Sequence, residues 1–258
     1  MHRHTSEYTE LRIAGHAKRV HSTAGDLTCL CREALAVELR SIYDTNSWVY
    51  DALMGREDAR VLRGRMPVVT GELSGVAAVV KRFHHGGATA SLWRDRFLSS
   101  TRFRNHIVVS RYLAEHGVAT PDVLFVSWRR IFGTFRGEVG LEHVEGIDAD
   151  QWFFRTGVVP ADWQDQARRI GALVARLHRI GFLHRDMNLM NFYFADDGRM
   201  LILDLDKSSV ETTMSGSEKT RTLARLERSI RKQGRGRAPD YVGGVVRELR
   251  EGYAEANA

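Results

Sequence analysis

The chain has 258 residues, 43% of them hydrophobic and 27% charged, which is the composition of a folded globular protein. Lys and Arg outnumber Asp and Glu by 38 to 32, a balance that favours acidic partners (nucleotides, nucleic acid or an anionic membrane surface) without choosing among them. No apolar run reaches the roughly 18–20 residues of a bilayer span, and the opening MHRHTSEYTE lacks the apolar stretch of a signal peptide.

The expectation is therefore a cytoplasmic protein. Its two cysteines, Cys29 and Cys31, sit too close for an easy disulfide and have no second pair to complete a zinc site, so they read as reduced, partly buried thiols.

Residues 1–26 are polar and show no clear periodicity. Residues 27–43 read as a helix, with Asp26 as a candidate N-cap and Leu27, Leu30, Ala34 and Val37 on one face. From Val61 to Phe83 the texture changes to short β-rich runs broken by Gly64, Gly71 and Gly75, the pattern of an antiparallel meander. A helix is expected from about Arg102 to His116, ended by Gly117. Strand-like runs follow at VLFVSW, IFGTFR and VGLEHV. From Ala161 the period is helical, with Ile170, Leu173, Val174, Leu177 and Ile180 on one face and Gly181 as the stop. Two strands, NFYFA and MLILD, then flank the turn Asp196-Asp197-Gly198-Arg199. A final helical region is expected over about Glu218 to Lys232. The order is strands plus one helix, then mostly helix around a hairpin: an α+β chain in two lobes. The expected division is an N-terminal extension over 1–55, a strand-rich lobe over 56–143 and a helical lobe over 144–258.

The chemistry concentrates in His184-Arg185-Asp186-Met187-Asn188-Leu189-Met190-Asn191, between the helix and the hairpin. Phosphoryl transfer needs a carboxylate to orient an acceptor hydroxyl and take its proton, and oxygen ligands for magnesium. Asp186 supplies the first. Asn191, five residues on, and Asp204, at the end of the second hairpin strand, supply the others. The hairpin folds the chain back and makes Asn191 and Asp204 neighbours. ATP and Mg²⁺ are thus the expected cosubstrate and cofactor. Lys81, in the strand AAVVKRF, is the candidate partner of the nucleotide phosphates. Gly64, within Arg63-Gly64-Arg65, is a candidate for a phosphate-covering loop, although no full G-x-G-x-x-G is present. Glu142 and Val144 lie in a run, Leu141 to Gly146, whose backbone could read an adenine edge. The plainer alternative for that run is an ordinary strand end.

On these residues the chain resembles the lipopolysaccharide core kinases, the family of Kdo kinases and heptose kinases. The resemblance is carried by Val80-Lys81-Arg82-Phe83-His84-His85-Gly86-Gly87, by Leu113 to Pro121, by the block from Leu173 to Asp206, and by Leu223 to Ile230. It extends from about residue 60 to 235. It implies a protein-kinase-like fold with a small antiparallel-sheet N-lobe and a reduced, mostly helical C-lobe. It also implies transfer of the ATP γ-phosphate to a sugar hydroxyl of the lipid A–inner core, at the cytoplasmic face of the inner membrane. Lys81, Asp186, Asn191 and Asp204 keep the roles argued above. Asn188 and Asp206 fall within the family's polar loop pattern, as acceptor contacts or loop support. One position departs: the helix glutamate that would hold the lysine is replaced by His106. Another acid, such as Glu115 or one from the N-terminal region, would have to substitute, or activity would be weakened.

Arg221, Arg225, Arg228 and Lys232 recur at helical spacing opposite Leu223, Leu226 and Ile230. This stripe is a candidate contact for the acidic glycolipid or for lipid head groups; a solvated basic face is the plain alternative. Nucleic acid is disfavoured, since no aromatic residues interleave with the arginines. A peptide kinase is disfavoured too, because no Ala-Pro-Glu follows Asp204. The remaining alternatives are a kinase for another small-molecule or protein acceptor, and a non-catalytic nucleotide-binding module.

Overall fold

A computed structural model describes residues 8–13, 24–45, 47–57, 59–62, 67–84 and 95–258. Gly64 and the stretch His85-Gly86-Gly87 lie outside the described residues. The chain divides into two compact units, Met1–Ser110 with Pro121–His143, and Arg111–Thr120 with Val144–Ala258.

The first unit holds a seven-stranded antiparallel sheet in the order β1-β2-β6-β7-β5-β4-β3. Its strands are β1 (Tyr8–Ile13), β2 (Ala24–Arg32), β3 (Arg60–Leu62), β4 (Val68–Leu73), β5 (Val76–Arg82), β6 (Val123–Ile131) and β7 (Thr134–Glu142). The meander expected between Val61 and Phe83 is β3, β4 and β5. Two hairpins, β4–β5 and β6–β7, turn on Ser74-Gly75 and Phe132-Gly133, where all four residues have positive φ. Such turns match the right-handed twist of the flanking strands. The run IFGTFR is therefore the bend of a hairpin and not a strand of its own.

The N-terminal region corrects the helix expected over 27–43. Residues Ala24–Arg32 form β2, and the helix α1 begins only at Ala36, running to Asp44. Leu27, Cys29 and Cys31 are all fully buried, with half-buried residues between them. That is the period of two of a strand with one face in the core. A five-residue window of Leu, Thr and Cys fits both periods, and pairing decides: Cys29 sits opposite Leu11 on one side and Ser127 on the other. The polar start of the chain likewise supplies β1.

Two apolar layers form. In one, Leu35, Leu39 and Tyr43 near and on α1 and Leu53 on α2 (Val49–Met54) pack on Leu27, Val69 and Val80. In the other, Phe103 at the start of α3 (Thr101–Glu115) packs with Phe83, Phe97, Trp128 and Val139. Within the sheet, Glu138 on β7 is completely buried. Its carboxylate accepts the backbone N–H groups of Val49 (2.9 Å) and Tyr50 (3.0 Å), the first residues of α2, and the Tyr43 hydroxyl (3.1 Å). A carboxylate at a helix N-terminus meets the unsatisfied donors of the first turn.

The second unit contains a three-stranded sheet, β11-β10-β8, and a two-stranded one, β12-β9. The strands are β8 (Gly146–Asp148), β9 (Phe182–His184), β10 (Phe192–Ala195), β11 (Met200–Ile202) and β12 (Ser208–Val210). The helices are α4 (Trp163–Arg179), α5 (Gly216–Gln233) and α6 (Pro239–Glu255). On α4, Ile170, Val174 and Leu177 are buried as the periodicity requires. The helix α6 extends the expected helical content beyond Lys232. It packs against α4 at close range: a Cβ on Gly171 would stand 2.0 Å from the Leu249 carbonyl oxygen, and one on Gly252 would stand 2.2 Å from that of Arg168. Only glycine admits backbones that close. The Arg168 guanidinium then binds Glu248, Glu251 and Glu255 along one face of α6.

Candidate active site

The helix α4 ends at Arg179 and Gly181 leads into β9, which pairs with β12 so that His184 lies opposite Ser208. After β9 the chain leaves the sheet at Arg185-Asp186. Buried Met187 anchors the loop, and a single helical turn, Leu189–Asn191, follows. Asn188 and Asn191 brace that turn reciprocally. The Asn188 side-chain oxygen accepts the Met190 N–H (3.0 Å), and the Asn191 side-chain oxygen accepts the Asn188 N–H (2.9 Å). The Asn188 amide also donates to the Asp186 carbonyl (2.9 Å). Asn188 is thus a support of the loop that carries Asp186.

The peptide of Leu203 ties this loop to Asp204. Its N–H donates to the Asn191 carbonyl (2.7 Å), and its own carbonyl accepts from His184 Nε2 (3.1 Å) and from Asn191 Nδ2 (3.4 Å). The pairing of Phe192 with Ile202 in the β10–β11 hairpin continues into this contact. His184 is almost wholly buried, and burial holds its imidazole below the usual histidine range. Its Nε2 carries a proton, since it faces a carbonyl that can only accept. The hairpin therefore does bring Asn191 beside the residue preceding Asp204.

Asp204 is exposed and adopts a left-handed backbone, φ 58 and ψ 57. Such a conformation costs a residue with a side chain about 1–2 kcal/mol, and strain of this kind collects at functional positions. Asn191 and Asp204 offer oxygen donors only, as a hard divalent cation requires, and the side-chain oxygen of Asn191 keeps a second lone pair beyond its bond to Asn188. The donor set fits Mg²⁺. Asp204→Gly is expected to separate strain from function: stability equal to wild type or up to about 1 kcal/mol higher by urea denaturation, with phosphoryl transfer lost.

Asp186 presents a side chain that is 46% exposed, with Lys207 Nζ 3.6 Å from its carboxylate. Lys207 escaped the sequence reading. Its signal was only a lysine three residues after Asp204, on a turn (Leu205–Lys207) that the linear order does not place beside Asp186. Asp206 is half-buried in the same turn.

Of the other candidates, Lys81 lies on β5 opposite Val139, in the first unit. His106 is buried on α3 with its ring 6.0 Å from that of Phe83, edge to face. Two candidate substitutes for the helix glutamate are engaged by arginines: Glu115 by Arg111 (2.9 Å), and Asp51 by Arg82. At the end of β7 the Glu142 N–H donates to the Asp122 carbonyl (2.8 Å), and the Val144 carbonyl accepts from the Tyr193 hydroxyl (3.0 Å).

The basic stripe on α5 divides. Arg221 and Arg225 line a cavity of about 230 Å³ with Arg185 of the H-R-D loop, whereas Arg228 and Lys232 are exposed outside it. Beneath them Leu226 and Ile230 are buried, and Leu223 is half-buried. The Ser229 hydroxyl accepts the Leu189 N–H (3.1 Å) and bolts α5 to the loop that carries Asp186.

Comparison with known proteins supplies a further finding. Residues 53–253 match the family model described as the lipopolysaccharide kinase (Kdo/WaaP) family, a span that takes in all but the last two residues of α6 and most of the first unit. A 3-deoxy-D-manno-octulosonic acid kinase of Xylella fastidiosa (strain M12) is 28% identical over 180 residues, covering 68% of this chain and 70% of that protein. Proteins of the same name from Pasteurella multocida (strain Pm70) and Stenotrophomonas maltophilia (strain K279a) are 28% and 27% identical, covering 64% and 69% of this chain and 70% and 71% of their own lengths.

Proposed function

The chain belongs to the lipopolysaccharide kinase (Kdo/WaaP) family, and from that premise we propose that it is an ATP-dependent phosphotransferase acting on a sugar hydroxyl, of Kdo (3-deoxy-D-manno-octulosonic acid) or heptose, in the lipid A–inner core of lipopolysaccharide. The observation that carries the reading is the Leu203 peptide, held by both His184 and Asn191, which joins the loop of Asp186 to Asp204.

In this reading the acceptor hydroxyl gives its proton to the Asp186 carboxylate as its oxygen attacks the γ-phosphorus. A bond from that oxygen to phosphorus forms, the bond to the bridging oxygen of ADP breaks, and ADP leaves. Asn191 and Asp204 would hold a magnesium ion, which would neutralise charge on the phosphate oxygens. Lys207 places a cation beside the base, where negative charge gathers during transfer. Lys81 pairs with the α- and β-phosphates. At the end of β7 the Glu142 N–H is already donated, so the Val144 N–H is the donor offered to the adenine edge. The first unit is read as the small lobe of a protein-kinase-like fold and the second as its reduced helical lobe.

Among the described residues no helix is long and apolar enough to cross a membrane. Contact with the inner membrane is proposed to be peripheral, through exposed Arg228, Arg231, Lys232 and Arg235 on and after α5.

The test is incubation of the purified chain with Mg·ATP and lipid A carrying Kdo alone or Kdo plus heptose, with mass spectrometry of the glycolipid. The expected product carries an added phosphate on one of these sugars. Unmodified glycolipid with no ADP formed would overturn the proposal.

A further inference from the structure

We infer that the cavity between the start of α5 and the H-R-D loop is an oxyanion subsite, holding a carboxylate or phosphate that flanks the reacting hydroxyl of the acceptor. The inference rests on the sugar-kinase reading for its ligand, but the anion site itself stands on the geometry.

Arg185 enters the cavity from the loop, and Arg221, Thr222 and Arg225 enter it from the first turns of α5. The carboxylate among the described lining residues is Glu218, which Arg221 and Arg185 attract electrostatically but whose oxygen is hydrogen-bonded elsewhere. It closes the capping box of α5, accepting the Ser215 N–H (3.0 Å) and hydroxyl (2.8 Å). Arg185 makes two long contacts, to the Ser209 hydroxyl (3.4 Å) and to Glu211 (3.3 Å). Among the described residues, neither Arg221 nor Arg225 has a hydrogen bond or ion pair, although Arg225 is half-buried. A guanidinium taken partly out of water without an acceptor is unfavourable on its own and gains when an anion completes it. Its forked donors suit the two oxygens of a carboxylate or phosphate.

The walls are fixed. The capping box holds the first turn of α5, buried Leu226 and Ile230 hold the helix, and the Ser229–Leu189 bond ties it to the loop. Arg185 is the residue before Asp186, which does not itself line the cavity, so the inferred acceptor would span from its anion on Arg185 to its hydroxyl at the base. An acidic sugar, or a sugar beside a phosphate, carries such a group close to its hydroxyls. Arg228 and Lys232 lie outside the cavity, so the basic stripe works in two halves.

Two measurements test this. In the first, unfolding temperature is followed against inorganic phosphate, with chloride at matched ionic strength as reference, for wild type, the double variant Arg221→Gln/Arg225→Gln, and Arg40→Gln, exposed on α1, as a charge control outside the cavity. A saturable phosphate-specific rise is expected in wild type and in Arg40→Gln, and none in the double variant. No such rise in wild type overturns the anion subsite, whether or not the chain is a kinase. In the second, initial rates are compared for the acidic acceptor and its carboxyl methyl ester. The double variant is expected to raise the apparent KM for the acid at least about tenfold and to erase the preference for acid over ester. If phosphate binding is lost but the KM and that preference do not move, the cavity takes free phosphate and the acceptor assignment is wrong. If wild type modifies no sugar at all, the kinase reading fails, while the first measurement still decides the subsite.

Discussion

Asp186→Ala is expected to lower kcat by about a thousandfold while leaving the unfolding midpoint nearly unchanged. A positioned general base contributes roughly 10²–10⁴ in rate, and the residues proposed to hold the metal and the phosphates are untouched in the variant. The fold is insensitive for a separate reason. The Asp186 side chain is 46% exposed, and its ion pair with Lys207 spans 3.6 Å; pairs of that exposure contribute about 0–1 kcal/mol. The loop is held instead by Met187 in the core and by the Asn188–Asn191 braces, which the substitution leaves alone. Because the lost interaction belongs to the transition state, kcat and kcat/KM should fall together, with the KM for ATP little changed. Asp186→Asn, which keeps shape but not basicity, should fall as far. Steady-state ADP release with the glycolipid acceptor measures it, and near-normal turnover in either variant would remove Asp186 from the mechanism.

The second large effect concerns stability and lies in the first unit. Glu138→Ala is expected to cost about 3–5 kcal/mol. It orphans two buried backbone donors at the start of α2 and the Tyr43 hydroxyl, and it leaves a void between the sheet and the α1–α2 layer. Arg82, directly across from Glu138 in the β5–β7 ladder, also loses its buried counter-charge, although it keeps Asp51 and its stack on Tyr50.

The same residue sets a pH dependence. Burial pushes the Glu138 carboxyl up to about 7, against the hydrogen bonds from Tyr50, Val49 and Tyr43 that favour its charged form. The folded state therefore binds this proton more tightly than the unfolded chain does. Its contribution is fully present below the ordinary carboxyl value of 4.5 and is lost as pH rises through about 7. The loss is on the order of 3 kcal/mol. Urea midpoints at pH 5, 6 and 8 should fall in that order for wild type, and Glu138→Gln should flatten the trend. A midpoint that rises over this range would show that the hydrogen bonds outweigh burial.

The arrangement of the candidate site was legible in the chain because it is local. Asp186, Asn191 and Asp204 lie within twenty residues, and a tight hairpin is written in its turn residues, so the loop–hairpin arrangement follows from spacing alone. The same closeness made the family recognisable, and the match over residues 53–253 bears that recognition out. Helix α4 was legible for a similar reason: its apolar stripe carries its own period.

Tertiary structure decided the rest. Whether Leu27 to Cys31 forms helix or strand depends on β1 and on β6, about a hundred residues away, and no local period records that pairing. Helix α6 carries Gly243, Gly244 and Gly252, which weaken any helical signal; Gly252 earns its place only where α4 and α6 meet. Glu138 reads as one more charged residue on a strand until α2 is laid against it. Lys207 finds Asp186 only because β12 pairs with β9. The arginines of α5 look alike along the helix, and only the loop opposite separates the two that line a cavity from the two that face water. Residue types and short spacings determine what a segment can do chemically. Which segments share a site is set by contacts between residues far apart in the chain, whose free energy belongs to the pair and is written in neither partner alone.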